Sequence, residues 1–145
     1  MPHLTLQITN GGPILDVLIG VSHARAQALQ QAGQLVPNPI QIRGLIDTGA
    51  SCTCIDPGVL NALNLAPTGV TPMLTPSTGA QAHHANVYDV SLHLLHPAIT
   101  LTLQNVPVAE AQLSIQGIQA LIGRDILRSC LFVYDGQSGI FTLAF

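Results

Sequence analysis

The chain has 145 residues, 48% hydrophobic and 8% charged, with a mean hydropathy of +0.45, so it can bury enough apolar surface for one core and intrinsic disorder is excluded. Four arginines, no lysine and seven acids leave a net charge of −3. That balance offers no basic patch for nucleic-acid phosphates or for an anionic membrane surface, and the apolar stretch Pro13–Val21, interrupted by Asp16, is far shorter than the roughly 20 residues of a spanning helix.

Short runs of Val, Ile, Leu and Thr between Gly, Pro and Asn clusters predict an all-β domain with one to three short helices, occupying residues 1–145 as a single unit. The start Met1-Pro2-His3-Leu4 lacks the basic and apolar regions of a secretory signal, so a cytoplasmic setting is expected. His3–Thr9 alternates apolar and polar residues, Asn10-Gly11-Gly12 turns the chain, and Ile14–Val21 follows as the second arm of a hairpin. Ser22 caps a short helix over 23–32, with Ala24, Ala28, Leu29 and Ala32 on one face and Gly33 as its stop. Pro37-Asn38-Pro39 precedes a strand, Ile40–Ile46, that runs into Asp47-Thr48-Gly49-Ala50. Asp56 caps a helix over Pro57–Leu65, with proline at its first position. Val70–Thr75 and Val87–Leu95 read as the arms of a long hairpin with a tip of small residues. Ile99–Leu103, Val106–Ala109 and Gln119–Ile122 are further strands, Arg124–Ser129 is a helical turn, and Leu131–Tyr134 and Ile140–Phe145 close the chain.

The chemistry centres on Leu45-Ile46-Asp47-Thr48-Gly49-Ala50, where an apolar strand ends in an acid and a tight glycine turn. Buried neighbours anchor such a carboxylate, and the turn lets backbone N–H groups and the threonine hydroxyl point at it. Asp-Thr-Gly alone is a weak signal that also suits a surface turn. A second element follows downstream, Ala120-Leu121-Ile122-Gly123-Arg124-Asp125-Ile126-Leu127, an apolar strand, a glycine and a helix start.

In order and content these two elements, with the long hairpin between them, resemble the retropepsin-like aspartic proteases, the single-lobed relatives of pepsin, over about Ile40 to Phe145. The resemblance implies a closed or partly open β-barrel with a flap hairpin, and an aspartic endopeptidase that needs no metal or cofactor. One chain carries one Asp-Thr-Gly, so a homodimer must bring Asp47 of each subunit together on a polypeptide substrate. By matching position, Asp47 is the dyad acid and base, Thr48 bonds across the subunits, Gly49 leaves room for the substrate backbone, and Ala50 sits in the cleft wall. Gly123, Arg124 and Asp125 brace the active loop. The flap is expected over Thr71–Leu92 with its tip near Ser77–Gln81, where Ser77, Thr78, Gly79 and Ala80 reach across the substrate. Retroviral members place an acid after Asp-Thr-Gly-Ala to pair with the later arginine. Here that residue is Ser51, so Arg124 must find Asp56 or a backbone carbonyl. The dimer interface is expected to use the Asp47–Ala50 loops with His3–Ile8 and Ile140–Phe145, the latter as an edge strand, and Ile46, Ala50, Leu121 and Ile122 are expected to wall an apolar pocket.

The remaining candidates have blander readings. His83-His84, His93 and His96 point to opposite faces within each pair and read as surface or flap histidines rather than metal ligands. Cys52, Cys54 and Cys130 are odd in number, and Cys52-Thr53-Cys54 is too tight for an easy disulfide, so reduced, packed thiols are expected. Asp16, Asp56, Asp89 and Asp135 read as turn, cap or surface acids. Two other functions fit the same sequence: a catalytically weak or inactive peptide-binding module, and a dimerisation module.

Overall fold

The computed structural model describes residues 1–74 and 81–145. In β2 (Ile14–Val21) Leu15, Val17, Ile19 and Val21 are buried while Asp16 is exposed, the alternation of a strand with one face on a core. Its neighbour β3 (Ile40–Ile46) buries Ile42 and Ile46 in the same way. These two strands pair antiparallel, Ile14 opposite Leu45 and Ile19 opposite Ile40. The sheet continues through β8 (Ala120–Ile122), the two-residue β4 (Cys54–Ile55), β7 (Leu101–Glu110) and β6 (His83–Leu94), and β6 pairs back onto β2. Six strands thus close a barrel, which leaves no free edge around its wall. β5 (Gly69–Met73) hangs outside the ring on β6.

The core lies inside this barrel, where Val17, Ile19, Ile42, Ile55, Val90 and Ile122 are fully or almost fully buried. Phe141 and Leu143 belong to the same cluster, although they come from a separate three-stranded sheet of order β1 (His3–Gln7), β10 (Ile140–Ala144), β9 (Leu131–Asp135). Among the described residues three short α-helices decorate the barrel: α1 (His23–Gln31), α2 (Pro57–Ala62) and α3 (Arg124–Leu127).

Four expectations need correction here. The turn at residues 10–12 exists, as Thr9 and Gly12 exchange backbone hydrogen bonds, but its arms do not form a hairpin. β1 pairs with β10 in one sheet and β2 with β3 and β6 in another, because β2 is apolar enough to serve the barrel while β1 is mostly exposed. The last strand is not an edge: β10 is central, with β1 and β9 on either side, and that is what buries Phe141 and Leu143. Ile99–Leu103 and Val106–Ala109 are one strand, β7, whose register shift between Val90 and Leu92 of β6 lets Gln104 and Asn105 pass opposite Ser91. Finally, α1 packs through Leu29 and Ala26, and Ala24 and Ala28 face solvent. Ser22 does cap it, accepting from Arg25 N at 3.1 Å.

Candidate active site

β3 and β8 run parallel, Ile46 beside Ile122, and the backbone N–H of Asp47 extends the ladder by donating to the Ile122 carbonyl at 3.0 Å. The two sequence elements singled out above therefore leave the barrel side by side. Asp47 Oδ1 accepts from Gly49 N at 2.9 Å, and Ala50 N donates to the Asp47 carbonyl at 3.2 Å, so the turn folds over its own carboxylate. A Cβ on Gly49 would lie 3.1 Å from Asp47 Oδ1 and crowd it. The Asp47 side chain is half-buried, while Thr48 and Gly49 are exposed.

Beneath the turn the polar groups are saturated. Arg124 Nη1 donates to the carbonyls of Thr48 at 2.9 Å and Gly49 at 3.1 Å. Of the two partners open to Arg124 in the sequence, the backbone carbonyl is the observed one. Asp56 is engaged elsewhere, accepting from Gly58 N, Leu113 N and Ser114 N, each at 2.9 Å. Burial raises the Asp56 pKa, but the three N–H donors outweigh it and hold the group below the ordinary carboxylate value. Asp125 accepts from Thr53 N at 2.9 Å and from Thr53 Oγ1 at 2.8 Å, and Thr53 Oγ1 in turn accepts from Gly123 N at 3.1 Å. Gly123 is a point of close approach: a Cβ there would lie 2.6 Å from both C and O of Cys52. Gly123, Arg124 and Asp125 thus all touch the segment 48–53. Thr53, fully buried, is the residue sequence reading missed; its one visible signal was a hydroxyl between two cysteines, next to the apolar Ile55.

A cavity of about 710 Å³ opens between this turn and the end of β5. Asp47, Ala50, Ser51, Cys52, Cys54 and Leu121 line one side, and Thr71, Pro72, Met73 and Leu74 the other. Ala50 and Leu121 stand in the wall as expected, but Ile46 and Ile122 do not. Both are core residues, since alternation along β3 and β8 turns them into the barrel. Asp47 is the one charged residue among the described lining. Burial, and secondarily the neighbouring Cys52 thiol, push the Cys54 thiol up to about 12.

Where the flap is expected, β5 and β6 pair as the base of a hairpin, with Thr71 opposite Ala85 and Met73 opposite His83. Its expected tip residues Ser77, Thr78, Gly79 and Ala80 lie outside the described residues. His83 and His84 are exposed on β6 opposite Met73 and Pro72, and among the described residues no group of three or more His, Cys, Asp or Glu side chains is placed to hold a metal ion.

The family model described as "Aspartyl protease" matches residues 36–126, which contain the turn, the brace and the hairpin. The chain belongs to the aspartyl protease family. Among solved structures, a retropepsin-like aspartic protease from Rickettsia conorii superposes with a TM-score of 0.59 at 14% identity, over 99% of this chain and 90% of that one. This likeness shows a retropepsin-like fold. EIAV protease in complex with the inhibitor HBY-793 aligns at a TM-score of 0.45 and 16% identity, over 81% of this chain and 86% of that one. No curated protein matches the chain. Among the described residues no helix of this family member is long and apolar enough to cross a membrane.

Proposed function

We propose that the chain is an aspartic endopeptidase that works as a homodimer, with Asp47 from each subunit forming the catalytic pair. The observation that carries this reading is the division of labour among the acids near the cavity. Among the described residues, Asp47 opens into it with a single backbone hydrogen bond to its side chain, whereas Asp125 and Asp56 are bound up in structural contacts. Hydrolysing an amide without a metal or a nucleophilic side chain takes one ionised carboxylate to accept a proton from water and one protonated carboxyl to donate to the carbonyl oxygen. One chain supplies one such group, so two-fold pairing completes the set.

Two carboxyls about 3 Å apart cannot both ionise and share one proton, as aspartic proteases do generally. Water adds to the carbonyl carbon as its proton passes to one Asp47, and the other Asp47 protonates the carbonyl oxygen. Breakdown returns a proton to the leaving nitrogen. Exposed Thr48 and Gly49 are the groups free to meet the partner's loop and the substrate backbone. The open edges of β1 and β9, with Leu131, Val133 and Tyr134 about half exposed, are the surfaces left for the rest of the interface. Apolar side chains flanking the cut suit a wall of Ala50, Leu121, Met73 and Leu74.

Asp47→Asn is the deciding test, read with a peptide library across pH and the sedimentation of the same samples. Cleavage is expected to fall by at least about 10²–10⁴-fold while peptide affinity persists. Wild-type turnover is expected to follow a bell with an acidic optimum, because a shared proton is lost as pH rises. Full turnover by the variant, or by a strict monomer, defeats the reading. Peptide affinity with no cleavage by either form points to a binding module instead.

A further inference from the structure

Among the described residues the small sheet of order β1, β10, β9 has two free edges, and they differ in kind. Ile8 N donates to the Gly139 carbonyl at 2.9 Å and Phe145 N to the Pro2 carbonyl at 3.0 Å, so the odd-numbered residues of β10 turn their backbone groups toward β1. That direction alternates along a strand, which turns Ile140, Thr142 and Ala144 toward their partners Asp135, Val133 and Leu131 on β9. The N–H and C=O of Phe132 and Tyr134 are therefore left pointing off the open side of β9, and those of His3, Thr5 and Gln7 off the open side of β1.

The side chains separate these edges. His3, Thr5 and Gln7 are a polar, exposed row that suits an edge left in water. On β9, by contrast, Leu131 is 56%, Val133 47% and Tyr134 55% exposed. Tyr134 shares a face with Phe132, which is held against Phe141 with ring centroids 6.1 Å apart. β9 also lies close in the chain to the active turn: residues 128–130 alone separate it from α3, whose Arg124 holds the Thr48 and Gly49 carbonyls.

We propose that a second copy of this chain adds to β9 about a two-fold axis at Val133, joining the two small sheets into one continuous sheet with β1 left at its outer rims. The inference rests on the homodimer reading and names the edge that carries it. Two copies of a strand pair antiparallel about an axis only where outward backbone groups meet outward backbone groups. With Val133 on the axis all of β9 overlaps its copy. Phe132 and the partner's Tyr134 then exchange both backbone hydrogen bonds, as do their symmetry mates, and each such pair sets two aromatic rings side by side. Leu131 faces the partner's Asp135, so that carboxylate, which accepts from Gln137 N and Ser138 N of its own turn, does not meet its own copy. Axes at Phe132 or Tyr134 also match donors to acceptors, but they pair Tyr134 with Cys130 or Phe132 with Gly136, beyond the ends of the strand.

Because the axis sets residue 133 against itself, charge tests the register as well as the edge. Val133→Asp and Val133→Lys each bring like charges together, and each is expected to dimerise at least about tenfold more weakly than the parent in sedimentation, whereas their equimolar mixture regains the parent's association. Val133 lies on the sheet face away from Phe141 and Leu143, so neither charge enters the core, and circular dichroism checks that both variants fold. Thr5→Asp, on the other edge, is expected to associate like the parent. Mild oxidation of Val133→Cys is expected to give a disulfide-linked dimer that the oxidised parent does not, since the Cα atoms of such a non-hydrogen-bonded pair lie about 4.5 Å apart. Parent-like association of the two charged variants overturns the proposal, as does a weakening that the mixture does not reverse, failure of Val133→Cys to cross-link, or a larger loss with Thr5→Asp. Peptide cleavage by the same samples separates the two readings. A cleaving dimer that ignores Val133 defeats this inference alone, a dimer that obeys Val133 without cleaving counts against the peptidase reading alone, and a parent that cleaves as a strict monomer defeats both.

Discussion

Asp47 follows β3 and Asp125 lies in α3 just after β8, the adjoining parallel strand, yet their surroundings are opposite. Among the described residues, the Asp47 side chain takes one hydrogen bond, and the next two residues are exposed. Around Asp125 both carboxylate oxygens are bonded to Thr53, and Oδ1 also accepts from Ile126 N at 2.9 Å. The open turn is held by the saturated one: Arg124 ties down the Thr48 and Gly49 carbonyls, and Gly123 and Thr53 lock the strand that follows. A carboxylate proposed to react can stay lightly bonded where its backbone is fixed by groups with no part in the proposed chemistry. Changes to the saturated side should therefore act on stability and on turn geometry together, whereas Asp47→Asn should act on activity alone.

The sharpest way to break the contrast is Gly123→Ala. The added Cβ would meet Cys52 C and O at 2.6 Å, and backbone cannot yield as a side chain end can. A loss of about 3 kcal/mol is expected in urea unfolding, together with loss of peptide cleavage. A variant as stable as the parent would show that the approach of α3 to residues 51–53 is slack.

Thr53→Val comes next. Valine keeps the shape but leaves the buried Gly123 N–H without its acceptor and removes one donor from Asp125. About 2 kcal/mol should be lost, and cleavage should weaken more through kcat than through KM if the turn loses its geometry. Thr53→Ser, which restores the hydroxyl, should recover most of both. Rescue by valine rather than by serine would mean that packing, not hydrogen bonding, is what Thr53 supplies.

Much of this arrangement could be read in the sequence, and the failures have a common cause. The strand before Asp47, the caps Ser22 and Asp56, and the hairpin after α2 are local, set by alternation, side-chain oxygens and proline. The partners of β1 and β10 are not local. His3–Thr9 and Ile14–Val21 flank a good turn, but the competing pairing of β1 with β10 is 130-odd residues away and leaves no mark on the turn itself. The same holds at the site. Asp47 and the Gly123-Arg124-Asp125 run were visible, whereas Thr53 was not, because its role exists only where β4 meets β8 and α3. Ile46 and Ile122 show the limit of proximity in sequence, since residues next to a functional turn can face the core.

The smallest expected effect concerns Asp56, which sharpens the comparison from the far side of the brace. Its carboxylate joins the start of α2 to residues 113 and 114 through three N–H donors. Desolvation opposes ionisation, but the donors from Leu113, Gly58 and Ser114 prevail and the pKa in the folded state is lowered. A depressed folded pKa means that the unfolded chain binds the proton more readily. The stabilisation is therefore fully present above the unfolded value of about 3.9 and is lost as pH falls through the folded value. Asp56→Asn keeps the size and one acceptor but turns an amide N–H₂ toward the remaining donors. At neutral pH it should cost about 1–2 kcal/mol. The difference between parent and variant should hold steady from about pH 7 to pH 5 and then shrink below about pH 4, where the parent's own carboxylate takes up its proton. Taking that difference cancels the acid sensitivity of other groups, such as Asp135, whose pKa is also lowered by the N–H groups of Ser138 and Gln137. A gap that stays constant down to the acid limit would mean that the Asp56 charge contributes nothing and that its cap works through geometry alone.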